Sequence, residues 1–273
     1  MANVADLLRE VAVYRRLVGT RIRGEMQYPA SFALQVAGSF AFYMLSLAAI
    51  FILFRHFETM AGWRVGEIAF LYGLSGLAFG IAHLLATGFT DFSRMVLRGE
   101  FDRVLVRPLG TMPQVLASDV QLRRIGDMLQ GAAALAIAFR LVDIEWTLGR
   151  ALYLPVVVLS ASLLFLALFS LQATLCFWTT EGTEVINSFT YGGRDLTRYP
   201  LHIFDLWLRR LFLFAIPAGF VVYAPSLYLL DKPDPLHLPT VTRYLAPGAA
   251  LAFALLAAAA WRLGVRHYRS TGT

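Results

Sequence analysis

The stretch from Ala30 to Phe54 runs for 25 residues without a single charge. About 20 mostly apolar residues carry a helix across a hydrocarbon core ~30 Å thick. Composition decides between a bilayer and a large soluble core. Hydrophobic residues make up 58% of the 273 and charged residues 15%, where roughly 45–50% and about 25% are usual in soluble domains. A globule of this size has too little interior to hide that much apolar surface. The chain reads as an all-α polytopic membrane protein. Disorder is excluded by the same numbers, and so is a disulfide scaffold, since Cys176 is alone.

Further crossings are predicted from Glu67 to Thr90, Ile125 to Phe139, Ala151 to Trp178, Leu211 to Leu230 and Tyr244 to Trp261, six in all. The third is short, and Arg140 extends its reach by snorkelling. With the N-terminus inside, segments 1–29, 91–124, 179–210 and 262–273 carry 18 of the 24 Lys and Arg. Cytoplasmic loops retain positive charge, so this asymmetry places both termini in the cytoplasm. The net charge of +6 is then a topology signal, and nucleic acid is not expected as a partner.

Residues 1–29 are predicted to be an amphipathic helix lying in the inner interface. Leu7, Val11, Tyr14, Val18 and Ile22 recur at helical spacing among five arginines, and Pro29 ends the run. Packing on another protein is the alternative. The stretch has no apolar run of the signal-peptide kind. Residues 30–273 form one transmembrane domain.

Catalytic patterns are missing. The five histidines are scattered, no G-x-S-x-G elbow occurs, and Cys176 sits mid-span. Lys232, the one lysine, lies between Asp231 and Pro233, so there is no P-loop. If ATP drives this chain, another chain hydrolyses it. Asp127 follows Arg123 and Arg124 at helical spacing, which predicts a local ion pair at the inner interface. Glu67, beside Arg64 and Trp63, reads as interfacial. His83 is the deepest titratable group and has no partner evident in the sequence. A proton-coupled secondary transporter, with His83 and Asp127 as relay groups, stays open as a rival reading. Gly73, Gly76 and Gly80 on the second span predict close helix contacts, within the subunit or across a dimer.

Two segments are too patterned for plain loops. Residues 91–124 mix Met95, Val96, Leu97, Phe101, Val104, Leu105 and Val106 with charges. Arg98-Gly99-Glu100 predicts one helix ending and another starting, and Arg107-Pro108 a second break. Acids and arginines together (Glu100, Asp102, Arg103, Arg107) favour docking in a protein groove over a purely lipid-binding patch. In residues 194–230, Tyr199-Pro200 predicts the start of a helix leading into the fifth span. Pro217 and Ala224-Pro225 each predict a break, and two breaks eight residues apart favour a re-entrant or bent outer element.

Taken together, RGEFDRVLVRPLGTMPQVLASD and YPLHIFDLWLRRLFLFAIPAGFVVYAPSLYLL resemble the type-two ATP-binding-cassette exporter permeases. The similarity is strongest to a bacterial branch that includes daunorubicin-, bacitracin- and viologen-resistance-type permeases. It extends over nearly the whole chain and is carried best by Gly99 to Asp102, Arg107-Pro108, Tyr199-Pro200, Ile216-Pro217 and Tyr223-Ala224-Pro225. The resemblance implies a permease without cofactor of its own, with ATP and Mg held on separate ABC ATPase subunits. It implies a coupling helix among Met95, Arg98, Gly99, Glu100, Phe101, Asp102, Arg103, Arg107 and Pro108. Pro217, Tyr223 and Pro225 would then belong to an outer re-entrant gate. A second permease, identical or similar, would complete the pathway in the cytoplasmic membrane. Membrane lipids are a further expected partner, and Phe40, Tyr43, Phe70 and Tyr72, candidates near the dimer seam, would suit a small amphipathic or lipid-like substrate.

Overall fold

A computed structural model describes residues 19–20, 22–24, 26–179 and 183–269. The predicted helix over 1–29 therefore lies mostly outside the described residues, although 19–20 and 22–24 are helical. The long helices are α1 (Pro29–Leu53), α2 (Val65–Leu85), α7 (Ile125–Leu141), α8 (Leu148–Leu175), α9 (Thr183–Thr197) and α12 (Ala246–His267). Between α2 and α7 lie four short helices: α3 (Thr87–Thr90), α4 (Phe92–Leu97), α5 (Phe101–Leu105) and α6 (Thr111–Leu116). Two further helices, α10 (Leu206–Ala215) and α11 (Gly219–Leu229), meet at a 79° bend. No strand forms among the described residues; Met60 and Trp63 make one isolated bridge.

Among the described residues, four helices, α1, α2, α8 and α12, are long and apolar enough to cross a membrane, and the bent α10–α11 pair passes the same test as a unit. α7 has 17 residues, as short as its sequence implied.

α2 is the central post, because apolar and small residues cover all its faces, and most of its side chains are buried. Its glycines decide what packs there. A Cβ on Gly73 would lie 2.5 Å from Leu135 N, and one on Gly80 2.6 Å from Met128 N. Gly76 faces Gly131, whose own added Cβ would strike the Leu77 backbone. These three glycines thus let α7 approach α2 backbone to backbone, within the subunit.

α9 follows the other side of α2 in the opposite direction. Tyr191 OH lies 3.4 Å from His83 Nε2, Thr197 Oγ1 is 2.6 Å from Ser75 Oγ, and His202 Nε2 is 3.1 Å from Ala61 O. Residues 183–203 therefore run from one end of the bundle to the other. We call these ends after Trp261 and Trp63. The bent pair α10–α11 starts at the Trp63 end, just after His202, and returns there, since Lys232 Nζ donates to Gly62 O at 2.9 Å.

This differs from the sequence expectation in two ways. The chain is already at the Trp63 end before Leu206, so no helix after Tyr199-Pro200 leads from the opposite end. Pro200 instead opens a 3-10 turn over Leu201–Ile203. Pro217 makes the bend, but Pro225 makes no break. The π-helical turn Gly219–Tyr223 precedes it and passes directly into Ala224–Leu229. A wider π turn shifts the carbonyl that the proline ring would strike in a regular α-helix.

Candidate functional site

At the Trp261 end, short helices are stapled by aromatic rings. Gly99 has φ +66°, the left-handed turn that separates α4 from α5. Phe92, Phe101 and Phe177 pack around Trp261 with ring centroids 5.1, 6.5 and 5.3 Å from it, and Phe89 stands at 5.4 Å. Trp261 Nε1 donates to Thr111 Oγ1 at 3.0 Å. Gln114 Nε2 donates to the Val104 and Leu109 carbonyls, both at 3.1 Å, which closes the turn between α5 and α6.

This packing sorts the predicted coupling residues. Phe101 is 0% exposed and Met95 half-buried, so these two serve the core. Asp102 is half-buried beside Tyr268, whose phenol is pushed up to about 12 by burial and by the Asp102 carboxylate. Arg98, Glu100, Arg103, Arg107 and Pro108 are exposed. Among them stand Leu97, Leu105 and Val106, the last 83% exposed. A cavity of about 320 Å³ lies behind this ridge, touched by Glu100, Arg103, Arg107 and Gln114.

Inside the bundle, His83 and Asp127 are each 1% exposed, with His83 Nδ1 3.5 Å from Asp127 Oδ2. Arg124 stands 3.9 Å from the same oxygen, while Arg123 donates to Gln121 Oε1. The local pair with Arg124 was legible in the sequence; the His83 contact across helices was not. His83 also stacks on Phe169 at 5.2 Å. Arg194 of α9 and Arg198, just past its end, are both buried and continue this polar column. Arg194 lies over the Tyr43 and Phe79 rings at 4.1 and 4.5 Å, and Arg198 over Tyr72 at 4.4 Å. Arg198 also pairs with Asp195 at 2.8 Å. Phe70 and Tyr72 are buried within the subunit, and Tyr43 is engaged by Arg194, so these aromatics do not form a free seam.

The Trp63 end is closed by loops and ion pairs. Lys232 meets Glu67 Oε1 at 2.9 Å, while Glu67 Oε2 accepts the Arg64 backbone N–H at 2.7 Å. Glu67 is thus a loop clasp, partnered by Lys232 beyond its own neighbours. Arg150 pairs with Asp231 at 2.9 Å. Tyr223 OH lies 3.4 Å from both Asp234 Oδ1 and His202 Nδ1, and Asp234 caps the Leu236 and Leu238 N–H groups at 2.9 Å. Tyr223 therefore ties the bent pair to two loops, whereas Pro217 and Pro225 act through backbone shape.

Residues 40–272 match the family of ABC-2 family transporter proteins. The chain belongs to the ABC-2 transporter family. Comparison with curated proteins and with solved structures returns no match. As an ABC-2 permease it is a multi-pass membrane component of an ABC transporter, and membership implies partnership with ABC ATPase subunits. The match includes both ends of the bundle and the polar column between them. Among the described residues no group of His, Cys, Asp and Glu could hold a metal ion.

Proposed function

We propose that this ABC-2 permease is the membrane half of an exporter for an amphipathic or lipid-like substrate, driven by ATP hydrolysed on separate subunits. The observation that carries the proposal is the ridge at the Trp261 end. Leu97, Leu105 and Val106 stand exposed among Arg98, Glu100, Arg103 and Arg107, on a base held by buried aromatics. Such a base transmits a push without yielding, because packed cores shift as units. α1, α2, α7, α8, α9 and α12 serve as six crossings, and α10–α11 is a re-entrant hairpin at the outer face. A crossing by α9 tolerates Arg194 and, just past its end, Arg198, because aromatic rings face both and Asp195 pairs with Arg198.

Orientation follows from charge. Segments 1–29, 91–124 and 262–273 hold 14 Lys and Arg. Arg55, Arg64, Arg140, Arg150, Arg209, Arg210, Lys232 and Arg243 belong to the Trp63 end, and Arg194 and Arg198 to the interior. The Trp261 end then faces the cytoplasm, and a second permease completes the pathway. Co-purification with a P-loop ATPase, lost on charge reversal of Arg103 and Arg107, tests the coupling ridge. Cysteine labelling tests the sidedness: Thr59→Cys reacts from outside and Val106→Cys from inside only.

The His83–Asp127 pair favours one second reading, transport coupled to protons. Proteoliposomes holding this chain alone decide between them. Substrate movement driven by a proton gradient, without ATPase, would overturn the exporter reading.

A further inference from the structure

On the face of α9 turned away from Arg194, an open groove of about 670 Å³ runs between α9 and α10. Its size falls within the ~300–1,000 Å³ of small-molecule clefts. Gly192 and Leu196 form one wall and Trp207, Leu211 and Phe214 the other, with Arg210 as the charged member of the lining. Trp207 and Phe214 are 66% and 75% exposed, so apolar ring surface stands uncovered there.

We propose that this groove seats the cargo itself, and that the cargo is an amphiphile with an alkyl chain and an anionic head. The chain lies on Leu196, Leu211 and Phe214, and the head meets Arg210. This narrows the substrate class of the permease reading above and rests on it. Charge complementarity decides the head. Among the described residues no carboxylate lies within ion-pair distance of Arg210. Its neighbour Arg209 is turned back onto the Phe204 carbonyl. The nearest acid on the same arm is Asp205, and it does not line the groove. A guanidinium on a mostly apolar rim, where Ser188 is the other polar lining residue, binds phosphate, sulfate or carboxylate through charge-assisted hydrogen bonds. A second copy is the poorer occupant. Two-fold pairing of this surface with itself brings two arginines into one apolar seam, and the lining supplies no acid to balance them.

The test uses the full chain in phosphatidylcholine nanodiscs. Bromine-labelled dodecyl phosphate is the probe, and Trp207 fluorescence, taken as the difference from Trp207→Phe, is the readout. Saturable quenching is expected, on the order of tenfold tighter than for the bromine-labelled trimethylammonium analogue. Arg210→Gln should remove that preference while the ammonium analogue binds as before, and Arg210→Lys should keep most of it. An added Cβ at Gly192 meets nothing within 4 Å, so Gly192→Leu should fold normally and abolish quenching by both probes. Equal affinity for both heads, or an unchanged preference in Arg210→Gln, would overturn the proposal. So would loss of probe binding once phosphatidylglycerol is added to the disc, which would make the occupant a resident lipid. Disulfide formation between two Gly192→Cys copies, unaffected by probe, would assign the groove to a second copy and also overturn it. Binding as expected in a chain that recruits no ATPase would leave this site standing and sink the exporter reading alone.

Discussion

The two ends of this permease are held shut by different forces. At the Trp261 end, four short helices are glued by Phe89, Phe92, Phe101, Phe177 and Trp261, and charge is left on the outside. At the Trp63 end, long loops are tied by Lys232–Glu67, Arg150–Asp231 and the Tyr223–Asp234 contact. Aromatic packing is stiff and insensitive to salt, which suits a surface that must carry a mechanical push. Partly exposed ion pairs are individually weak and exchangeable, which suits a face that must open to release cargo. The difference in chemistry thus parallels the proposed difference in task.

The largest effect should come from removing the aromatic centre. Trp261→Ala deletes a 2% exposed side chain together with its bond to Thr111. A loss of about 3–5 kcal/mol is expected for such a truncation. Limited proteolysis should cut at Arg98, Arg103 and Arg107 sooner, while hydrogen exchange over 231–238 stays as in the wild type. Loosening at both ends would show that the comparison is false. Next in size is Gly80→Leu, which pushes a side chain onto the Met128 backbone at the α2–α7 contact shared by both ends. About 1–3 kcal/mol of overpacking is expected, and thermal denaturation should fall while both ends exchange faster.

The sequence made the Trp261 end far more legible than the middle or the Trp63 end. Gly99 and Pro108 are local signals, readable from backbone preference alone, and the helices break where they stand. The Ala30–Phe54 run needs no partner to be recognised. Gly73, Gly76 and Gly80 announced close packing, but the partner helix is a long-range fact that spacing cannot supply. α9 was misplaced for a physical reason. Arg194, Asp195 and Arg198 give its window a loop-like polarity, and that polarity is neutralised by Tyr43, Tyr72 and Phe79 from helices more than a hundred residues earlier. The separation of α2 from α7 along the chain likewise hid His83 from Asp127. Pro225 was over-read because a proline signals a missing donor, while the π turn that absorbs it leaves no mark in the sequence.

The Trp63 clasp should respond more gently. Glu67→Gln keeps an acceptor for the Arg64 N–H but removes the charge facing Lys232. A cost of about 1–2 kcal/mol is expected, between exposed and buried pairs. Salt should shrink the difference from the wild type, since screening weakens the intact pair. Hydrogen exchange over 231–238 should rise, with 97–110 unchanged. An effect that does not move with salt would mean that shape rather than charge holds this end.

The smallest effect concerns the rim of the Trp261 end and whether Asp102 is turned inward there. Burial and the Asp102 carboxylate together raise the Tyr268 phenol to about 12, above its ordinary value of about 10. A raised phenol favours the folded state only while the proton is bound. The contribution is therefore complete below pH ~10, where the unfolded chain also holds its proton, and is lost as pH rises towards 12. The wild type should keep the 101–107 segment protected at pH 9 and lose part of that protection between pH 10 and 12. Tyr268→Phe should lack this step. Asp102→Asn should bring the phenolate absorbance transition of Tyr268 down towards pH 10, because one of the two causes is gone. A transition that stays near 12 in Asp102→Asn would leave burial as the sole cause. Asp102 would then belong with Arg103 and Arg107 on the outward ridge, and the stapled interior of this end would stop at the aromatic rings.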